Sequence, residues 1–194
     1  MTRFTVRPLT PDLLPDWLAF FDERAFADHP AWASCYCAFF HADCSGEEWE
    51  KRTAAENRVA ASRWIRDGRL RGYLAYAGEE AVGWVHAAPR LLIPNLARRE
   101  RLAIDDAEHV GSIVCFVIAR PSRRQGAAAR LLAAAVDGFR AAGLRVAEAY
   151  PRTAGAGDAE HFPGPLRLYL AAGFHEVREF DTFAIVRRNL RAAE

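Results

Sequence analysis

Lysine is nearly absent from this chain. Of its 26 basic residues only Lys51 is a lysine, and the rest are arginine. Anion sites must therefore be built from guanidinium groups and backbone amides. Net charge is missing as well: 26 basic against 25 acidic residues leave +1 at pH 7. No overall field draws the chain to nucleic acid or to an anionic membrane surface. No apolar run reaches the ~20 residues of a transmembrane helix, and the opening MTRFTVRPLT lacks an apolar signal core. These absences point to the cytoplasm, where the four cysteines, Cys35, Cys37, Cys44 and Cys115, are expected to be reduced. Internal repeats, low-complexity tracts and linkers are also missing. What is present is a chain of 194 residues, 51% hydrophobic, which suits one domain over residues 1–194 with a substantial core.

Phe4 to Leu9 alternates and predicts a first strand, and Leu14, Trp17, Leu18 and Phe21 follow at helical spacing behind Asp12 as N-cap. The stretch from His29 to Cys44 is aromatic and cysteine-rich and has no period. Ser45 and Glu48 match a capping box, predicting a helix over 47–66 that stops near Gly68. A hairpin comes next, turning at Gly78-Glu79-Glu80. Residues 89–109 are long, charged and irregular, and a loop of that length generally has a task. Val110 to Ala119 is continuously apolar, as in a strand buried on both faces. A helix over 125–142, a strand over 144–150, a glycine-containing loop over 151–165, a short helix over 166–173 and a closing hairpin complete the order β-α-α-β-β-β-α-β-α-β-β. This is an α/β domain around one sheet.

The chemistry concentrates where the central strand runs through Arg123-Arg124-Gln125-Gly126-Ala127-Ala128 into an amphipathic helix. A helix N-terminus has unpaired N–H groups and the positive end of the dipole. A glycine and small alanines allow a bulky anion to approach, and two arginines add charge. The physics gives a phosphate-binding turn and leaves the ligand open.

R-x-x-G-x-A after a buried strand resembles the acyl-CoA signature of the GNAT acetyltransferase superfamily. Arg123, Gly126 and Ala128 fill its defined positions, and Tyr169 to Phe174 matches the family's late Y-x-x-x-G-F helix. The resemblance implies a mixed, mostly antiparallel sheet with a splayed central strand pair, flanked by about four helices. It implies acetyl-CoA as co-substrate, its pyrophosphate on 123–128 and its pantetheine arm along Phe116, Val117 and Ile118. The acceptor it implies is a primary amine of a small molecule, attacked directly with no acyl-enzyme; a peptide or protein acceptor and a non-catalytic acyl-CoA sensor are the alternatives. A homodimer is compatible with the family. The chain further resembles a poorly characterised GNAT subgroup with a Cys-x-Cys segment, Trp84 to Arg90 as W-x-x-x-A-P-R, the pair Asp105-Asp106, Cys115-Phe116, and Glu148 to Pro151 as E-A-Y-P. Some aminoglycoside acetyltransferases are similar in the cysteine-rich region.

On this reading the Ile118 amide polarises the thioester carbonyl. Tyr169, a phenol of pKa ~10, protonates the departing sulfur, and Glu148 takes the amine proton, directly or through water. Trp32, Tyr36 and His41 line the acceptor site, and Asp105 and Asp106 bind the cationic substrate. Cys35, Cys37, His41 and Cys44 are also soft ligands within ten residues, so zinc is weighed. No metal is expected, however, because packing cysteines behave as small hydrophobes. Cys115 reads as core, and His86 as a core or rim residue.

Overall fold

The computed structural model describes residues 4–153 and 162–190. The strands are β1 (Phe4–Pro8), β2 (Gly72–Ala77), β3 (Glu80–Pro89), β4 (Val110–Ile118), β5 (Val146–Ala149), β6 (His175–Glu179) and β7 (Ala184–Asn189). The helices are α1 (Leu14–Glu23), α2 (Gly46–Glu50), α3 (Ala54–Arg66), α4 (Pro94–Ala97), α5 (Ala127–Ala141) and α6 (Leu166–Ala171). α2 and α4 span five and four residues, so four helices are substantial.

The strands form one sheet in the order β1-β2-β3-β4-β5-β7-β6. Every neighbouring pair is antiparallel except β4 and β5. That parallel ladder runs from Val110 opposite Val146 to Ile113 opposite Ala149 and stops, while β4 continues to Ile118. The β3–β4 register shifts between His86 and Ala87, leaving Val114 as an extra residue in β4. A bulge bends its strand and increases its twist, and this one falls where β4 leaves β5. The splayed pair expected from the resemblance is present.

Two local expectations are corrected. Asp12 does not cap the first helix: a 3-10 turn over Pro11–Leu13 leads into α1, and Leu13 sits at its N-cap. The helix expected over 47–66 is two helices. Thr53 opens the second one with its own capping box, its hydroxyl accepting from Glu56 N–H while the Glu56 carboxylate accepts from Thr53 N–H. T-x-x-E within a helical run is a second start signal, and it wins over continuation through Lys51 and Arg52.

The sheet is covered on both faces. On one, Trp17, Phe20 and Phe21 of α1 pack with Trp84; on the other, Leu131, Leu132, Val136 and Phe139 of α5 pack with Val85, Ile113 and Phe116. Burying a side chain of this size contributes roughly 1.5–3 kcal/mol. Gly111 sets the approach of α5, since a Cβ there would lie 2.4 Å from the Phe139 ring.

Candidate active site

The parting of β4 from β5 opens a cleft of about 1040 Å³, at the upper end of small-molecule sites. β4 supplies Cys115 to Ile118. The start of α5 forms one bank and 164–168 another, and the aromatic segment with Trp32, Phe39 and Phe40 faces them. Backbone N–H groups alternate between the two edges of a strand. Ala119 N–H donates to Val82 O on the β3 side, whereas Phe116 N–H donates outward to Phe162 O at 2.6 Å. By alternation the Ile118 amide shares the outward edge with Phe116, and Val117 turns its amide to β3. Of the three expected pantetheine partners, then, Ile118 turns its N–H to the outward edge, Phe116 has its N–H held by Phe162 O, and Val117 contributes its side chain.

At the turn, Arg124 has φ 57° and Gly126, the N-cap of α5, has φ 90°. The recorded bond from Arg130 N–H to Gly126 O closes the first helical turn. The amides of Ala127, Ala128 and Ala129 precede it and are therefore the unpaired N-terminal donors of the helix. A Cβ built on Gly126 meets nothing within 4 Å, so the space in front of these amides is open. Gln125 donates its side-chain amide to Pro121 O. Arg123 also lines the cleft, with its guanidinium bonded to protein. Nε donates to Ile118 O at 2.9 Å, and the terminal nitrogens hold the Asp28 carboxylate at 2.5 and 2.9 Å. The Asp28 carboxyl is held below its ordinary range by this bond to Arg123. Arg124 is exposed and lies on the cleft wall.

Among the described residues no group of three or more His, Cys, Asp or Glu side chains is placed to hold an ion. Tyr36 and Cys37 both have positive φ, 44° and 52°. Two such non-glycine residues in succession cost roughly 1–2 kcal/mol each. The turn they make points the Cys37 thiol at the sheet. Trp84 Nε1–H donates to Cys37 Sγ at 3.3 Å, and His86 Nδ1 lies 3.6 Å from that sulfur. His86 Nε2 is 3.1 Å from His41 Nε2, with the rings stacked at 5.0 Å. Burial alone would raise the Cys37 thiol, but its bond to Cys115, the charge at His86 and the Trp84 N–H outweigh it and hold the thiol well below its ordinary range. Cys115 moves the other way, chiefly because its thiol proton is held by Cys37. Both sulfurs belong to residues on the cleft wall.

His41 is pushed down from 6.5 to about 3, first by burial and then by His86 and Arg69. Its folded pKa lies below its unfolded one, so the folded state binds fewer protons between these values. Stability is therefore complete above pH 6.5 and lost as pH falls, by about 1.4 kcal/mol per unit. The wild-type protein should lose about 2 kcal/mol of unfolding free energy between pH 6.5 and pH 5. His41→Phe should flatten that interval, as read by urea titration at each pH.

The remaining expected site residues divide. Trp32 lines the cleft and meets Phe162 edge-on. Tyr36 does not reach it, since its hydroxyl donates to Asp22 at 2.7 Å and its ring stacks on Phe21. Tyr169 is buried within the α6–sheet core and donates its hydroxyl to Pro163 O. Burial raises that phenol well above its ordinary range. Glu148 is also fully buried. Oε1 accepts from Arg90 Nη1 at 2.6 Å and from the Tyr150 hydroxyl, while Oε2 accepts from Arg187 Nε at 2.6 Å. Arg187 extends the network to Asp106 at 3.1 and 3.2 Å. Asp105 is exposed, and neither aspartate lines the cleft. The two residues expected to catalyse are thus both turned into protein. Cys37 and Asp28, with His86 behind Cys37, carry more of the site's organisation than their sequence positions suggested. Among the described residues no helix is long and apolar enough to cross a membrane.

The sequence profile described as Acetyltransferase (GNAT) family matches residues 16–161. No curated protein sequence matches the chain. A GNAT-family acetyltransferase from Streptococcus pneumoniae has a similar structure, with TM-score 0.56 and 16% identity over 97% of this chain and 100% of that one. The yncA protein of Salmonella typhimurium, whose structure is described with its cofactor acetyl-CoA, gives 0.58 and 13% over 98% and 95%. The Escherichia coli ribosomal-protein-S18-alanine N-acetyltransferase gives 0.52 and 14% over 99% and 97%. With the profile spanning most of the chain and the fold shared end to end, this protein belongs to the acetyltransferase (GNAT) family.

Proposed function

We propose that the protein transfers an acetyl group from acetyl-CoA to the primary amine of a small molecule. The observation that carries this reading is the outward N–H edge of β4, which begins beside the open amides of Ala127 to Ala129 and runs into the splay. The pyrophosphate fits those amides and Arg124. The pantetheine arm then pairs with the Ile118 amide. The thioester reaches Phe116, about 7 Å further along the strand, where its carbonyl oxygen, rather than meeting the Ile118 amide expected from the resemblance, takes the Phe116 N–H by displacing Phe162 O. A backbone donor fixed at that oxygen stabilises the charge that develops in acyl transfer. Holding donor and acceptor in one cleft supplies a further part of the rate through proximity.

The acceptor side supports a small amine with a flat apolar body. Trp32, Phe39, Phe40 and Trp49 line it, and among the described lining residues there is no carboxylate. Among the described lining residues a polycationic acceptor, such as an aminoglycoside, meets no carboxylate. Asp105, Asp106 and Glu148 do not supply one, being exposed or committed to Arg187 and Arg90. On this reading Glu148 and Tyr169 hold the fold, and the amine loses its proton to another group.

A panel of amines with acetyl-CoA, followed by thiol release, tests the proposal. Aromatic and aliphatic monoamines should turn over, with polyamines and peptide N-termini at least about tenfold slower in kcat/KM, equivalent to about 1.4 kcal/mol. Tight acetyl-CoA binding without turnover of any amine would leave the sensor reading in place.

A further inference from the structure

We propose that residues 162–165 form a strap that closes the thioester position in the free protein, and that Tyr169 is the positioning residue that holds the strap there. The inference rests on the acetyl-CoA reading above. Three observations carry it. The first is competition for one donor. Phe116 lies past the end of the parallel ladder, and its N–H donates to Phe162 O at 2.6 Å. A backbone N–H is a single donor, so Phe162 O and a thioester carbonyl oxygen exclude each other. The second is the root of the strap. Pro165 bridges in parallel to Arg152, just beyond the end of β5. Tyr169, fully buried in α6, donates its hydroxyl to Pro163 O. Gly164 has φ 87°, and a Cβ there would lie 2.9 Å from the Tyr169 ring, so the strap lies directly against the phenol. The third is reach. The Phe162 ring meets Trp32 edge-on at 5.5 Å, and both residues line the cleft. Phe162 therefore touches the donor strand with its carbonyl and the acceptor wall with its ring.

The strap answers a need created by the splay. Phe116 is buried, and β5 no longer runs beside it to accept its N–H. An unpaired buried N–H is costly, and Phe162 O satisfies it while no acyl group is present. Acetyl-CoA brings a carbonyl oxygen that replaces Phe162 O. Coenzyme A ends in a thiol, a weak acceptor, and binds with the strap in place. The strap thus opposes acetyl-CoA selectively, and the Phe162 ring leaves Trp32 only when the acyl group arrives.

Tyr169 sets how strongly the strap is held. Displacing Phe162 carries its neighbour Pro163 away from the phenol. In the closed strap Pro163 is buried, and without the Tyr169 hydroxyl its carbonyl has lost the partner recorded for it. Once the strap is displaced, that carbonyl reaches water. Removing the hydroxyl therefore destabilises the closed strap more than the displaced one.

The ratio of the coenzyme A to the acetyl-CoA dissociation constant isolates the strap, because both ligands share the pyrophosphate and the pantetheine arm. Calorimetric titration of Tyr169→Phe should show acetyl-CoA bound about threefold to tenfold tighter than by wild type, with coenzyme A unchanged. A general loss of packing would weaken both ligands together and leave the ratio where it was. Gly164→Ala drives a Cβ into the Tyr169 ring and should raise the ratio in the same direction. If neither variant folds, crystal structures of the wild-type protein with each ligand still decide. With acetyl-CoA the acetyl oxygen should sit on Phe116 N–H and the Phe162 ring should be off Trp32. With coenzyme A the bond to Phe162 O should remain. An unchanged ratio in both variants overturns the role of Tyr169. An acetyl-CoA complex that keeps the Phe162 O bond overturns the strap. Wild-type protein that binds neither ligand overturns the acetyl-CoA reading itself, which the same calorimetry reveals.

Discussion

Replacing Glu148 with alanine should lower the unfolding free energy by about 3–5 kcal/mol, the cost of removing one member of a buried ion pair. Side chains at Arg90 and Glu148 are 4% and 1% exposed, and their contact is 2.6 Å. Arg90 also donates to Leu102 O and the Tyr150 hydroxyl, and Arg187 approaches Glu148 from the other side at 2.6 Å. Alanine would leave two guanidinium groups converging on an empty site. Arg90 would keep its neutral acceptors without a counter-charge, and Arg187 would keep only Asp106. For a domain of this size the loss corresponds to a fall in melting temperature of about 6–20 °C. Glu148→Gln keeps the shape and one acceptor oxygen and should cost less. Asp106→Ala acts on a carboxylate that is 39% exposed, where the loss should stay near 1 kcal/mol. Urea unfolding of the three variants gives the ordering. A Glu148→Ala protein as stable as wild type, with turnover alone reduced, would overturn the structural role and restore the general-base reading.

Glu148 also shows where reading along the chain reaches its limit. Period-2 alternation places it between Ala147 and Ala149 on β5, but it does not say which partners wait on its face. Those partners are 58 and 39 residues away in sequence. Arg123 is a similar case. Its position in the signature was legible, because strand, glycine turn and helix start are local features. Its guanidinium was claimed by Asp28, 95 residues distant, and no local rule could show that. Trp84 and His86, two apart on β3, necessarily share a face. That Cys115 pairs with His86 from the next strand, and that Cys37 folds over both, required the register and the Tyr36–Cys37 turn. Apart from the exposed Asp105, the features that seemed to mark a subgroup gather around two centres, the buried Cys37 and the buried Glu148. Only the first touches the cleft. By contrast, the break at Thr53 was within reach of the sequence, since T-x-x-E repeats the signal already recognised at Ser45.

Ala128→Glu should abolish acetyl-CoA binding at ordinary concentrations while leaving the fold intact. Ala128 lines the cleft in the first turn of α5, one residue beyond the buried Ala127. A carboxylate there meets the positive end of the helix dipole, an arrangement that stabilises an isolated helix by about 0.3–1 kcal/mol. Melting temperature should therefore hold steady or rise slightly. The same carboxylate would lie in front of the Ala127 to Ala129 amides and place like charge against the pyrophosphate. Loss of that anchor should weaken binding at least about 100-fold, equivalent to about 2.7 kcal/mol. Arg124→Ala removes one exposed cation and leaves the amides in place, so its effect should stay near tenfold, about 1.4 kcal/mol. Arg123→Gln tests a different link. It releases Asp28 and the Ile118 carbonyl, so its effect should appear in stability as well as in affinity. Calorimetric titration of the three variants with acetyl-CoA, alongside thermal melts, separates these outcomes. If Ala128→Glu binds acetyl-CoA as wild type does, the pyrophosphate is not held at this helix N-terminus, and the direction of the thioester along β4 falls with it.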